Sequence, residues 1–354
     1  MLEGDSHVKR IALAVLVAAS AALSAPAQQV PSAKVDVNLV LVDATVTDRK
    51  GNQILGLGKD DFIVKEDGVT QTVDSIDYFT NRRLIDSRES EAKFKVERVK
   101  EERYFILFFQ KSPDPLFNGD TLAAKRAAQD WVRKQLQPTD RVAVVGFDAR
   151  LKIFTDFTSD KQRIRKALDQ TVQYGKGITA PPADPARDSI VERLNGDRLI
   201  RDTGTIYSAI EELSDATRRI AARKVLILFS PGIGEITSER IPIGRPDEIR
   251  YEPMIEALNR ANVSVHPIFL LRNYRRQPVE DVLSRIANET GGEYHTNVVN
   301  FLLPLKNIEK QNNGYYLLSY KPTLTASRRK GFHKLDVSLR NPEFRVKARQ
   351  AYAD

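Results

Sequence analysis

The sequence has no cysteine among its 354 residues. Disulfide bonds, thiolate metal sites and cysteine nucleophiles are therefore excluded. Histidine is scarce too: the four residues are His7, His266, His295 and His333, and none has the H-x-x-x-H spacing of a helical metal site. The nucleophile elbow G-x-S-x-G and the P-loop are also absent. These absences favour a protein that is not an enzyme. An unrecognised hydrolase stays open as an alternative, because a serine, a histidine and an acid can converge in the fold alone.

Long apolar runs are missing except at the amino terminus, over residues 11–23. Two basic residues precede this run, and Ala25-Pro26-Ala27 follows it with the small residues of an A-x-A cleavage pattern. The arrangement predicts a secretory signal peptide over residues 1–27. An uncleaved anchor is the less favoured alternative, because the run is short for a membrane span. We therefore expect a secreted or periplasmic protein with no stable membrane span after cleavage. The acidic start also raises the hypothesis that translation begins at Val8 rather than Met1.

Basic residues outnumber acidic ones by 55 to 47, so the formal net charge is +8. A basic balance favours anionic partners. The densest basic clusters are RNYRR at residues 272–276 and RRK at residues 328–330. Such clusters can contact phosphates, but most are solvated loops. Because export is predicted, we expect an envelope component and not a nucleic acid as the partner.

The two ends of the mature chain are rich in strand-like segments. Residues 28–80 and 311–354 contain VDVNLVLVDATVTD, FIVKEDGVTQTV, YYLLSY, FHKLDVSL and FRVKARQAY. Asp67-Gly68 predicts a hairpin, because both positions of its turn need positive φ. Neither region is long enough to close a sandwich alone, so we expect one discontinuous β-sandwich built from both. Residues 81–103 mix both charge signs densely and predict an exposed linker.

Residues 104–310 alternate apolar strands with amphipathic helices. The strands are YFILFF, TDRVAVVGFD, RLKIFTDF, KVLILF and NVSVHPIFLL, and the helices include TLAAKRAAQDWVRKQL, KQRIRKALDQTV, GTIYSAIEELSDATRRIAA and PVEDVLSRIANET. Ser159 and Gln162 predict a capping box at the second helix. Continuous apolar strands separated by helices predict an α/β domain with a doubly wound, mostly parallel sheet. This domain would be inserted in the small discontinuous sandwich.

The order of these blocks resembles a known family. VNLVLVDATVTDRKGNQILGLGKDDFIVKEDGVTQTV opens the mature chain, and GGEYHTN, YYLLSYKPT, KLDVSLRN and VKARQAYA close it. This order is similar to that of the VWFA-related acidobacterial-type exported proteins, over nearly all of the mature chain. The resemblance implies a von Willebrand factor type A domain with strand order 3-2-1-4-5-6. It also implies a metal-ion-dependent adhesion site at the edge where the parallel strands have their carboxyl ends, which we call the carboxyl edge.

That site has the pattern Asp-x-Ser-x-Ser after the first strand, a Thr before a later helix and an Asp after the fourth strand. Gln110 takes the place of the first Asp and Pro231 that of the last, so both expected charges are lost. Ser112 and Thr205 match the pattern, and Asp114 stands in place of the second Ser. Mg²⁺ depends on oxygen ligands with carboxylate charge nearby. The sequence therefore favours a degenerate site that holds no cofactor.

A rearranged site is the alternative that these residues leave open. Ser112, Asp114 and Thr205 would bind Mg²⁺ in it, with Asp202 or Glu235 as a further ligand; Thr203 is the other register for the Thr position. In the favoured interpretation, Gln110 and Ser112 instead hydrogen-bond the loop.

The sequence as a whole indicates an exported, non-enzymatic module for protein binding or adhesion. Two long connections, at residues 174–203 and 236–251, follow elements that should end at the carboxyl edge. We expect a protein or envelope partner to bind this top face of the domain. A Mg²⁺-dependent adhesion protein is the second hypothesis, and an envelope hydrolase is the third.

Overall fold

A computed structural model of the chain describes residues 39–49, 51–80, 102–112, 115–172, 181, 189–220, 222–233, 235–236, 242–243, 247–270, 279–323 and 332–353. The predicted signal peptide, both basic clusters and most of the predicted linker lie outside these residues. Within the described part, no helix is both long and apolar enough to cross a membrane.

The secondary-structure elements are numbered here along the described chain. The strands are β1 Val40–Thr47, β2 Phe62–Glu66, β3 Val69–Gln71, β4 Val73–Thr80, β5 Tyr104–Gln110, β6 Arg141–Phe147, β7 Leu151–Thr158, β8 Lys224–Ser230, β9 Glu235–Ile236, β10 Pro242–Ile243, β11 Val263–Phe269, β12 Gly314–Tyr320, β13 Phe332–Leu339, β14 Arg345–Ala348 and β15 Ala351–Ala353. The helices are α1 Asn118–Lys134, α2 Lys161–Gln170, α3 Gly196–Asp202, α4 Ile206–Ala216, α5 Glu248–Arg260, α6 Val279–Glu289 and α7 Leu302–Gln311.

Strands from both ends of the chain form a sandwich of two antiparallel sheets. One sheet has the order β14-β1-β12-β4 and the other β15-β13-β2-β3. Val42 and Leu318 of the first sheet share a core with Val64 and Leu335 of the second, and all four are buried. Each sheet therefore needs strands from both chain ends, which confirms the discontinuous sandwich. The Asp67-Gly68 hairpin is confirmed as well, since both residues have positive φ.

The segment FRVKARQAY is not the single strand that the sequence suggested. It is interrupted at Arg349 and Gln350, so that β14 pairs with β1 and β15 pairs with β13. The chain thus crosses from one sheet to the other at the corner of the sandwich. A period-2 apolar pattern does not reveal such a change of sheet, because it can continue across the break.

The α/β domain has a five-stranded sheet of order β11-β8-β5-β6-β7. If β5, β6, β7, β8 and β11 are counted as strands 1 to 5 of this domain, the sheet has the order 3-2-1-4-5 from β7 to β11. His295 forms a parallel bridge with Ile268 of β11, at the place of a sixth strand. β7 is antiparallel to β6 because only residues 148–150 join them, and a parallel crossover needs a dozen or more residues. The structure thus confirms the first five places of the strand order implied by the resemblance, and a single bridge stands at the sixth.

Helices cover both faces of this sheet. Ile106 and Phe108 point into one core, shared with α4, α5 and α6, and Phe105 and Phe109 point into the other, shared with α1, α2 and α7. The sequence analysis missed three helices, α3, α5 and α7, and α5 begins inside the long connection predicted at residues 236–251. It also misplaced the cap of α2, which is Asp160: its carboxylate accepts from the N–H groups of Gln162 and Arg163. The boundaries proposed for the separate domains stay a prediction.

Arg103, at the end of the predicted exposed linker, is buried, and this part of the linker prediction is wrong. Its guanidinium donates two hydrogen bonds of 2.7 Å to the carboxylate of Asp140 and one of 3.2 Å to Glu309. Asp140 is also buried, and such a pair needs these fixed partners to offset the loss of hydration. The ion-pair network fixes the start of β5 against the loop before β6 and against α7.

Candidate ligand-binding edge of the α/β sheet

The carboxyl edge is formed by the ends of three parallel strands and the turn between β6 and β7. The N–H of Lys111, just after β5, donates to the carbonyl of Phe147 at the end of β6 over 2.8 Å. On the other side, the N–H of Leu270 donates to the carbonyl of Ser230 over 2.9 Å. Residues 110–112, 147–151 and 230–233 therefore lie along one edge, where ligands bind in open α/β sheets.

Gln110 is hydrogen-bonded through both ends of its side-chain amide. Its Oε1 accepts from the hydroxyl of Ser230 over 2.6 Å, and its Nε2 donates to the carbonyl of Gly232 over 3.0 Å. The hydroxyl of Ser230 in turn accepts from the N–H of Gly232 over 2.9 Å. The amide thus links the end of β5 to the loop after β8. At the position where the resemblance expects a carboxylate, its polar atoms are engaged by the protein.

The two threonines before α4 have different surroundings. Thr205 is half-buried and is the N-cap of α4: its hydroxyl accepts from the N–H of Ser208 over 3.1 Å, and the Ser208 hydroxyl accepts from the N–H of Thr205. Thr203 is fully buried, and its hydroxyl donates to Leu199 and accepts from the N–H of Leu151. Thr205 is therefore the more accessible of the two registers. The contact with Leu151 places both threonines beside the β6–β7 turn.

The other predicted site residues are only partly covered by the structure. Ser112 is half-buried just beyond β5, and Pro231 is buried directly after Ser230. Asp114 lies outside the described residues, and of Glu235 only the backbone is described. Asp202 forms ion pairs with Arg201 at 2.9 Å and with Arg198 at 4.0 Å. The structure thus brings Gln110 next to the loop that contains Pro231, and the Mg²⁺ site of Ser112, Asp114 and Thr205 stays a prediction.

Asp148 is an acid at this edge that the sequence analysis did not single out. Its carboxylate accepts 2.5 Å from the ammonium of Lys152 and 2.7 Å from the N–H of Ala149. Burial raises the pKa of Asp148, but these two interactions outweigh burial and the net pKa is lowered. The carboxylate is therefore ionised and neutralised by Lys152. Its place in a three-residue turn after a strand is the signal that could have identified it.

Large apolar side chains are exposed on the same side of the sheet, in α3 and in or just before the first turns of α1, α5 and α7. We call this set the apolar rim; it comprises Leu116 (64% exposed), Ile200 (58%), Ile249 (87%), Val299 (76%) and Leu303 (57%). The connections after parallel strands begin at the carboxyl edge, which places four of these residues on that side, and Ile200 lies three residues before Thr203, which contacts Leu151 at the same edge. The N–H of Asp247, just before α5, also donates to the Tyr207 hydroxyl of α4 over 3.3 Å. Exposed apolar side chains grouped in this way are typical of interaction surfaces.

No protein-family model matches the sequence, and no curated protein matches it either. Solved structures resemble part of the chain. Proximal thread matrix protein 1 from the mussel byssus is 15% identical over 59% of this chain and 48% of its own, about half its length, with a TM-score of 0.40. An aerotolerance-related membrane protein from Bacteroides fragilis is 14% identical over 59% of this chain and 98% of its own, with a TM-score of 0.38.

A third solved structure is the conserved hypothetical protein BatB from Bacteroides thetaiotaomicron. It is 16% identical over 59% of this chain and 98% of its own, with a TM-score of 0.37. No activity can be inferred from similarity at this level. The fold assignment rests on the strand order described above. The α/β domain of this chain has a fold related to the von Willebrand factor type A domain.

Proposed function

We propose that the protein is an exported, non-enzymatic binding module that holds a protein partner at its carboxyl edge without a divalent cation. The observation that carries this proposal is the engagement of the Gln110 amide by Ser230 and Gly232. A cation at the usual position would have to displace these hydrogen bonds and would find an uncharged amide there. Pro231, at the other expected acid position, has no side-chain oxygen to offer.

The apolar rim supports a protein as the partner. Burial of an exposed aliphatic side chain contributes roughly 1.5–3 kcal/mol, so a few such residues supply substantial affinity. Ile249 is the most exposed of the five. The ionised Asp148, at the β6–β7 turn of the same edge, is paired with Lys152. A surface with apolar anchors and paired charges is suited to protein recognition.

The surroundings of His266 argue against this residue as a catalytic base. This side chain is buried, and neither of its ring nitrogens has a hydrogen-bond partner among the described residues. A general base must lie within hydrogen-bond reach of a nucleophile or of the substrate proton. His266 is therefore not positioned as the base of a serine hydrolase.

Partner capture from an envelope extract of the source cells tests the proposal. Ile249→Asp should lose most of the captured protein, while the matched control Leu55→Asp, an exposed leucine of the sandwich region, should retain it. Capture by the wild type should be equal in Mg²⁺ and in a chelator. Equal capture by Ile249→Asp and wild type would contradict the role of the rim. Capture that depends on Mg²⁺ and is lost in Asp114→Ala would instead support the metal-dependent adhesion protein.

A further inference from the structure

A second group of potential metal ligands lies in the β-sandwich, away from the carboxyl edge. Glu66 ends β2, Asp67 begins the hairpin turn after it, and His333 is the second residue of β13. One ligand atom from each residue lies within 4.8 Å of the other two. Glu66 and His333 are buried and Asp67 is half-buried. β2 and β13 are adjacent in one sheet, so the fold itself brings together residues from opposite ends of the chain.

The distances between these atoms suit a small tetrahedral ion. Nδ1 of His333 lies 2.9 Å from Oδ2 of Asp67 and 3.4 Å from Oε1 of Glu66. Zn²⁺ binds nitrogen and oxygen at about 2.0–2.2 Å, which separates tetrahedral ligands by about 3.4 Å. The Asp67–His333 distance would have to open by about half an ångström, and the oxygens of Glu66 and Asp67, which lie within 4.8 Å of each other, would have to take the same separation for the three groups to bind one ion. A water molecule would complete the coordination.

Neighbouring groups orient each of the three side chains. The hydroxyl of Tyr320 donates to Oε2 of Glu66 over 2.7 Å and that of Tyr352 donates to Oε1 over 3.1 Å, and Oε1 is the oxygen nearer to His333. The N–H of Lys334 donates to Oδ1 of Asp67 over 2.9 Å, which leaves Oδ2 on the same side. The ring of Tyr352 stacks on the imidazole with centroids 5.1 Å apart. Metal ligands in proteins are held in this way by a second layer of hydrogen bonds.

Charge also favours a cation here. Two carboxylates converge on one imidazole, and the side chain of Glu66 is fully buried. Buried carboxylates are hydrogen-bonded, paired with an opposite charge or bound to a metal, and the tyrosine hydroxyls that donate to Glu66 leave its negative charge in place. A divalent ion compensates both carboxylates. The set of one imidazole and two carboxylates suits Zn²⁺ better than Mg²⁺, which requires near-octahedral oxygen coordination.

The geometry points to a Zn²⁺ site formed by Glu66, Asp67 and His333 that clamps the two halves of the discontinuous sandwich together. Asp67 and His333, which lie on the two sides of this clamp, are separated by 266 positions in the sequence. A link across a long loop stabilises the fold by restricting the unfolded chain, in the way that a disulfide does. This chain has no cysteine with which to make a disulfide.

Calorimetric titration of the chelator-stripped full chain with Zn²⁺ tests the site, together with thermal unfolding with and without the ion. Wild type should bind one equivalent and unfold at a higher temperature. Asp67→Asn should weaken the binding at least tenfold, because it replaces a charged ligand by a neutral amide. Asn is tolerated at the positive φ of Asp67, so this variant should fold. The matched control is Asp336→Asn, an exposed residue of the same strand β13, which should bind like wild type.

Visible absorption of bound Co²⁺ gives a readout that is independent of stability, because its intensity reports four-coordinate geometry. Wild type and Asp336→Asn should give this signal and Asp67→Asn should not. The proposal is overturned if the wild type shows no saturable Zn²⁺ binding, in which case the group is a hydrogen-bonded His–carboxylate cluster only. It is also overturned if binding persists unchanged in Asp67→Asn, which would indicate adsorption elsewhere on the surface.

Discussion

The hydroxyl of Ser230 donates a 2.6 Å hydrogen bond to the side-chain oxygen of Gln110, and this bond joins the ends of the two central strands β5 and β8. The nitrogen of the same amide donates to the carbonyl of Gly232. A neutral side chain therefore occupies the position where the sequence resemblance implies a carboxylate. The account of a cation-independent carboxyl edge depends on this pair. Its consequences can be measured in the stability of the chain and in its binding.

Gln110→Glu changes one atom of this arrangement and should destabilise the protein. The second carboxylate oxygen would face the carbonyl of Gly232, with no proton to donate at neutral pH. We expect a loss of about 1–3 kcal/mol in the free energy of unfolding at pH 7. Below about pH 4 the introduced acid is protonated and donates again, so the loss should shrink. Urea unfolding at both pH values measures it.

The control for this change is Gln137→Glu, an exposed glutamine in the turn before β6. It should alter the free energy of unfolding by no more than about 0.5 kcal/mol at either pH. A Gln110→Glu protein as stable as wild type at pH 7 would show that the amide does not hold the loop after β8.

Asp156 anchors the segment that leads to the carboxyl edge. Its buried carboxylate accepts from the N–H of Phe157 over 2.8 Å, from the hydroxyl of Ser189 over 2.5 Å and from the N–H of Ile190 over 3.0 Å. Asp156→Asn should lower the free energy of unfolding by about 2–3 kcal/mol. The NH₂ group of the asparagine would face N–H and O–H donors, from which it cannot accept a hydrogen bond. Denaturant unfolding beside the exposed control Asp197→Asn measures this cost. Equal stability of the two variants would contradict the anchoring role.

Gly292 allows the end of α6 to approach β11. A Cβ atom at this position would lie 1.8 Å from the carbonyl oxygen of Val265, so the backbone would have to move. Gly292→Ala should therefore destabilise the protein by about 3 kcal/mol. The matched control Gly119→Ala lies in α1, where nothing is within 4 Å of an added Cβ, and it should be neutral or stabilise by up to about 1 kcal/mol. If both variants unfolded at the same denaturant concentration, the close approach would be refuted.

His266 makes stability depend on pH. Burial lowers its pKa well below the usual value, and the charges of Arg223, His295 and Lys347 lower it further. Below about pH 6.5, His266 binds a proton in the unfolded chain but stays neutral in the folded chain. The free energy of unfolding therefore falls as the pH decreases from about 6.5 toward the lower pKa of the folded state. One such group contributes a slope of up to about 1.4 kcal/mol per pH unit.

His266→Leu removes this titration and leaves the other histidines in place. Between pH 7 and pH 5, its free energy of unfolding should fall less steeply than that of wild type. Urea unfolding at half-unit pH intervals compares the two slopes. Parallel curves would mean that His266 is protonated in the folded state.

The architecture could be predicted because apolar residues recur along the sequence with clear strand and helix periodicity. YFILFF, KVLILF and the Asp67-Gly68 turn each specify a buried strand or a hairpin from local chemistry, and the structure contains them. Three helices were missed for local reasons: α7 carries Pro304 in its first turn, α5 contains Pro253, and α3 lies within a connection rich in turn residues. The antiparallel direction of β7 follows from a turn length that was visible in the sequence but was not used.

The carboxyl edge was less predictable than the fold. The loss of acids at positions 110 and 231 is visible in the sequence, but the use of the Gln110 amide depends on the distance between β5 and β8. The group of Glu66, Asp67 and His333 could not be found from spacing either, because its members meet only through the pairing of β2 with β13. Contacts between distant segments of this kind carry no local signal.

Partner capture by the Asp67→Asn chain, in Mg²⁺ and in a chelator, measures whether the carboxyl edge binds without a divalent cation. In this variant the proposed sandwich site is disabled, so a chelator can act only elsewhere. The account predicts equal capture in the two conditions, and loss of capture on addition of Ile249→Asp. Capture that disappears in the chelator and returns with Mg²⁺ would contradict the account, because the carboxyl edge would then depend on a divalent cation.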